Sequence, residues 1–195
     1  RRRMMNFEKK QERRVQPRNL QRQQGGFTLV ELMIVTVLLA VAIAVVYLGV
    51  SSYMAKDRTN QEAKELPTIF ANIQAKYSQR SNFTGATCTG LINLNVFPQS
   101  RLATATTLVN RWRGNITCAV ATITTTSDVL NLTYTNVPST ECGDLIPMVE
   151  GYVRVITVGG TTVKADNALT DLDALGTACK AGGTNNTIVY GVPKA

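Results

Sequence analysis

The chain contains no histidine, so the commonest general base and the commonest metal ligand are both missing. Its thiol chemistry rests on Cys88, Cys118, Cys142 and Cys179. None of these belongs to a Cys-x-x-Cys pair, which sets a zinc site aside. An even number at wide spacing reads instead as two disulfides made in an oxidising compartment, with three connectivities open. Asp171 and Asp173 read as a solvated turn or helix face, since no dense run of oxygen ligands for calcium surrounds them. Gly159-Gly160 and Gly182-Gly183 are turn signals; neither opens a helix after a strand, as a phosphate loop does. Trp112, between Arg111 and Arg113, reads as a half-buried aromatic with snorkelling arginines rather than a platform for a base or sugar. No enzyme constellation, cofactor or metal is expected.

Glu31 is the chemical exception. It is the only charged residue in 27–50, FTLVELMIVTVLLAVAIAVVYLGV. A carboxylate in a spanning helix costs roughly 2.5–3.5 kcal/mol on insertion scales, and intramembrane charges usually have partners. No basic side chain lies in that stretch. Cleavage after Gly26 would create one, the new amino group of Phe27, four residues before Glu31. In a polymer the amine of one copy could face the Glu31 of the next, neutralising it and setting the register.

These residues need a helix that crosses a membrane. A helix over 27–50 is roughly 36 Å long, enough for a hydrocarbon core of about 30 Å. Residues 1–26 hold nine Lys or Arg against Glu8 and Glu12, a net of +7 out of the chain's +8. That basic segment stays cytoplasmic by the positive-inside rule and places the rest outside. The remainder, with 12 basic and 11 acidic residues, is nearly neutral, so the charge describes one short segment and not a nucleic-acid-binding face. Gly25 and Gly26 precede the apolar stretch, whereas the small cleavage-site residues of a secretory signal follow it. The competing reading is an uncleaved signal anchor.

Beyond Val50, apolar residues recur at Leu66, Ile69, Phe70, Ile73 and Tyr77 with helical spacing. One helix is expected from about Phe27 to Ser78, with Pro67 as a possible kink. Residues 81–115 read as loop with a short helix at 101–112. ITCAVATITT (116–125) and VLNLTYTNV (129–137) read as a hairpin turning near Ser127-Asp128. A helix is expected after Pro138, limited by Pro147, then a hairpin over 152–164. A short helix at 168–176 capped by Gly176 and a last strand at 187–192 complete an α+β head behind a long helix.

Gly26-Phe27-Thr28-Leu29-Val30-Glu31-Leu32-Met33-Ile34 resembles the class III signal of type IV pilins and pseudopilins. The resemblance implies that a prepilin peptidase cuts between Gly26 and Phe27 and methylates the Phe27 amine, and that Glu31 sets subunit registry. Thr133-Tyr134-Thr135-Asn136-Val137-Pro138, with Cys142 and Leu145 after it, resembles the type IVb pilins of conjugative thin pili and enteric colonisation pili. It implies a pilin fold: a long N-terminal helix on an antiparallel sheet, with the C-terminal region closed by a Cys142–Cys179 disulfide. With those two taken, Cys88 goes with Cys118. A leader of 26 residues from Arg1, or 23 from Met4, also resembles the b class. Phe27 as first mature residue departs from it.

The organisation implied is a basic leader at 1–26 that is removed, a transmembrane and filament-core half-helix at 27–52, an amphipathic half at 53–80, and a head at 81–195. The implied partners are further copies of the chain, a prepilin peptidase, an inner-membrane assembly platform with its assembly ATPase, and the membrane itself before assembly. The precursor would sit in the inner membrane with its leader cytoplasmic and its head periplasmic, and end in an extracellular filament for adhesion, aggregation or conjugation. The alternatives are a pseudopilin of a type II secretion system, a minor pilin, or a signal-anchored extracellular binding domain.

Overall fold

The computed structural model describes residues 28–194, which divide between Val45 and Val46 into two compact units. Helix α1 runs Leu29–Tyr77. It starts where Thr28 can cap it: the Thr28 hydroxyl accepts the Glu31 N–H at 3.2 Å, and the Thr28 carbonyl accepts the Leu32 N–H at 3.1 Å.

In the second unit, Leu66, Ile69, Phe70, Ile73 and Tyr77 form the stripe that α1 buries against the sheet. Pro67 lies inside the helix and does not end it. It removes a backbone donor, but its buried neighbours Leu66, Ile69 and Phe70 hold the helix in place.

The sheet has six strands, with every neighbouring pair antiparallel: β1 (Leu108–Val109), β2 (Asn115–Ala121), β3 (Val129–Val137), β6 (Asn186–Pro193), β4 (Val155–Val158) and β5 (Thr161–Lys164), in that spatial order. Strand β6 is thus interior, with Leu132 opposite Tyr190 on one side and Ile156 opposite Tyr190 on the other. Period-two alternation puts Leu130, Leu132, Tyr134, Ile188, Tyr190 and Val192 in the core. The Tyr190 ring packs 5.9 Å from Phe70 of α1 and 5.5 Å from Tyr134. A bulge between Tyr134 and Val137 accommodates Asn136 at a φ of 60°.

Four helical or loop expectations need correction. No helix forms over 101–112; that stretch holds the end of a 3₁₀ turn, Gln99–Arg101, and then β1. Its run of β-branched residues turns back instead, with the Thr104 hydroxyl accepting the Thr107 N–H at 3.1 Å and Leu102 bridging to Leu108. Helix α2 (Cys88–Asn93), capped by Thr87, stands where loop was expected. Helix α3 (Ser139–Val149) continues past Pro147, since Leu145, Ile146 and Val149 are all buried. Helix α4 (Leu172–Ala181) passes through Gly176 and is capped by Gly182. Interior glycine costs about 1 kcal/mol, while Leu175, Ala178 and Cys179 continue the buried face beyond it.

Candidate functional site

Gly26 and Phe27, the expected cleavage junction and methylation site, lie outside the described residues. Glu31 sits in the first turn of α1 and is exposed. Thr28 and Glu31 have the Thr-x-x-Glu spacing of a capping box, and Thr28 supplies the N-cap half of it. That spacing was visible in the sequence as a second reason for a glutamate at this position.

From Leu29 to Tyr53, α1 exposes large apolar side chains all round. Leu29 is 74% exposed, Val41 59%, Val45 67% and Tyr53 74%. It is long and apolar enough to cross a membrane, and the most apolar part is not buried within the chain. An apolar surface of this extent needs lipid or other helices to cover it.

The structure joins Cys88 to Cys118 and Cys142 to Cys179, with Cα–Cα distances of 5.2 and 5.8 Å. The first ties α2 to β2; the second ties α3 to α4. Among the described residues no cysteine is free, and no group of three or more acidic or thiol side chains could hold a metal. Asp171 caps α4, its carboxylate accepting the N–H groups of Asp173 and Ala174, each at 3.0 Å. Trp112 is half-buried, and its neighbour Arg111 turns back onto α1.

Two ion clusters escaped the sequence reading. In the first, Glu62 and Glu65 of α1 meet Arg101 and Arg111. Arg101 donates to Glu65 Oε2 from Nε at 2.9 Å and Nη2 at 2.6 Å. Arg111 donates to Glu65 from Nη2 and to Gln61 at 2.6 Å. Glu62 is fully buried and Arg101 is 2% exposed. Arg101 Nη1 stands 2.7 Å from Glu62 Oε2, but out of hydrogen-bond alignment. Burial pushes the Glu62 carboxyl up, against the pull of Arg101 and Arg111.

In the second cluster, Asp128 accepts the N–H groups of Ile123, Thr124 and Thr125 at 2.8, 3.0 and 3.2 Å, and the Thr124 hydroxyl at 2.7 Å. Arg154 donates to Asp128 and to Asp166, each at 2.8 Å. Burial opposes ionisation of Asp128, but the Thr124 hydroxyl and the backbone donors prevail and hold its carboxyl below the usual range. The turn here is therefore organised by Asp128, which closes it from inside.

The long N-terminal helix with its antiparallel sheet, here of six strands and accompanied by two disulfides, matches the fold of type IV pilin structures. Several solved chains are similar, among them two type IV pilins. A type IV b pilin from Salmonella typhi aligns with a TM-score of 0.53 and 18% identity, over 69% of this chain and 99% of that one. TcpA, a type IV pilin from Vibrio cholerae El Tor biotype, aligns with a TM-score of 0.51 and 11% identity, over 69% and 98%. No curated protein matches the chain. Residues 21–47 match the prokaryotic N-terminal methylation motif. Residues 56–192 match the PilS N terminal family, and the chain belongs to it.

Proposed function

We propose that the chain is the structural subunit of a type IV pilus, processed by a prepilin peptidase between Gly26 and Phe27 and methylated on the Phe27 amine. Residues 27–52 hold the precursor in the inner membrane, with the basic leader in the cytoplasm and the head outside. Subunits then leave the bilayer and pack these helices into a filament core. There the Phe27 amine of one copy faces Glu31 of a neighbour. Apolar side chains exchange lipid for protein in that step, so helix packing and the charge pair set the register. An assembly platform and its ATPase supply the work. The finished filament serves adhesion, aggregation or conjugation.

The observation that carries this reading is the apolar surface of α1 from Leu29 to Tyr53, exposed all round and carrying one carboxylate in its first turn. The methylation motif over residues 21–47 supports it. The test is the intact mass and N-terminal sequence of protein recovered from cells that have a prepilin peptidase. A chain beginning at N-methylated Phe27 is expected. A chain that keeps residues 1–26 there would overturn the proposal.

A further inference from the structure

Among the described residues of the head, Leu169 and Leu172 are the most exposed large apolar side chains, at 83% and 66%. They stand between β5 and α4, with the exposed Asp171 and Asp173 on either side of Leu172. Their loop is braced. The Asp171 N–H donates to the Val163 carbonyl of β5 at 2.8 Å, and the Thr170 N–H donates to Glu150 at 3.0 Å. A lone exposed leucine is ordinary, but two on one braced loop make an apolar knob with an acidic flank.

A hollow of about 320 Å³ lies between α1 and residues 95–98. The buried side chains of Ile69, Val96 and Phe97 form its floor, and Pro98 stands beside them. Lys64 and Glu65 line the same hollow, but Arg101 and Arg111 hold the Glu65 carboxylate. The exposed Lys64 therefore gives the rim its charge, opposite in sign to Asp171 and Asp173.

Knob and hollow belong to opposite edges of the sheet. The knob follows β5, the edge strand on one side. Residues 95–98 follow α2, which the Cys88–Cys118 bridge ties to β2, beside the other edge strand, β1. Five strand steps separate β1 from β5, roughly 24 Å at about 4.8 Å each. A braced loop at one edge cannot fill the hollow of its own chain at the other.

We propose that the Leu169–Leu172 knob of one copy seats in the hollow between α1 and residues 95–98 of the next, with Asp171 and Asp173 against Lys64. This rests on the polymerising subunit proposed above and adds a contact between heads. Because the two surfaces differ and lie at opposite edges, the contact is heterologous. Each copy that fills a neighbour's hollow still offers its own, so the contact propagates and does not stop at a pair. The leucines supply the apolar cover, and the charges select the hollow they enter.

The test uses the full chain with Leu169→Cys and Thr68→Cys, made in cells that assemble the wild-type chain, and a short thiol–thiol cross-linker added to intact cells. Thr68 lines the hollow, and the described native cysteines are all paired, so the reagent reaches the engineered thiols. The double variant should give a ladder of dimer, trimer and higher species on a reducing gel, and each single variant only monomer. Dimers from Leu169→Cys alone would overturn the proposal, since they mean a face-to-face contact. So would sheared filaments of the double variant that stay monomeric. Without any new cysteine, Lys64→Glu and Asp173→Lys should each lower the yield of sheared filaments by about fivefold, and the two together should restore it. Unchanged yields from both single charge variants, or a pair that restores nothing, would likewise overturn it. The mass of the cross-linked chain separates this contact from the reading it rests on. Filaments of chains trimmed to Phe27 that do not cross-link remove the head contact alone. A ladder built from chains that keep residues 1–26 upholds the contact and removes the processing.

Discussion

Arg154 and Asp128 meet at 2.8 Å, joining the residue just before β4 to the turn between β2 and β3. The same guanidinium also holds Asp166, beyond β5. One arginine thus fastens two connections on one end of the sheet. Asp128→Ala would leave the N–H groups of Ile123, Thr124 and Thr125 without their acceptor. The expected cost is about 1–3 kcal/mol, read as a lower denaturation midpoint with an unchanged slope.

The same pair predicts an acid sensitivity. The folded-state pKa of Asp128 is depressed, so the unfolded chain binds the proton more readily. The contribution of Asp128 is complete above the ordinary carboxylate range and is lost as pH falls through that range toward the folded value. Asp128→Asn should therefore lose stability less steeply than wild type in urea melts between pH 6 and pH 3. Parallel curves would refute the assignment.

Gly114 closes the turn between β1 and β2, and a Cβ there would lie 1.8 Å from the Thr135 carbonyl oxygen. Asn110 occupies the space beneath, accepting the Gly114 N–H at 2.8 Å and donating to Thr135 at 2.6 Å. Gly114→Ala must push the β1–β2 turn away from Thr135 of β3. A loss on the order of 3 kcal/mol is expected, with faster exchange of the Asn110 and Gly114 amides.

The disulfides close stretches of 30 and 37 residues. In the chain-entropy treatment each contributes roughly 4 kcal/mol. Removing both cysteines of either bridge by serine substitution should lower the stability of the oxidised head by that order, as measured by urea unfolding.

Glu31→Ala should be inserted and trimmed normally and yet yield no filaments by electron microscopy. Normal filaments from that variant would remove Glu31 from the registry role.

The sequence announced the helix and strands because their apolar residues recur with clear periods. Leu66, Ile69, Phe70, Ile73 and Tyr77 mark α1, and Leu130, Leu132 and Tyr134 alternate in β3. The proposed junction at Gly26–Phe27, outside the described residues, and the lone Glu31 stand out in the sequence for another reason, a single carboxylate four residues beyond a Gly-Phe step in an apolar run. The buried ion cluster was less visible. Glu62 lies four residues before Leu66, on the buried stripe, where an apolar residue is the norm. A charge at a core position was the available signal, but its partners Arg101 and Arg111 come from a segment with no periodicity. Gly176 misled in the opposite way: it reads as a stop, and only the anchored Cys179 beyond it explains why α4 continues.

Strand β6 lies between β3 and β4, although its residues, Asn186–Pro193, come last among the strands in sequence. The sheet therefore cannot be completed in the order of synthesis. Until β6 has emerged, β3 and the β4–β5 hairpin each present an open hydrogen-bonding edge, the kind of edge on which chains misassociate. A nascent chain must keep those two edges apart until its last strand arrives. For this protein, the vulnerable interval falls between the emergence of residue 137 and the emergence of residue 193.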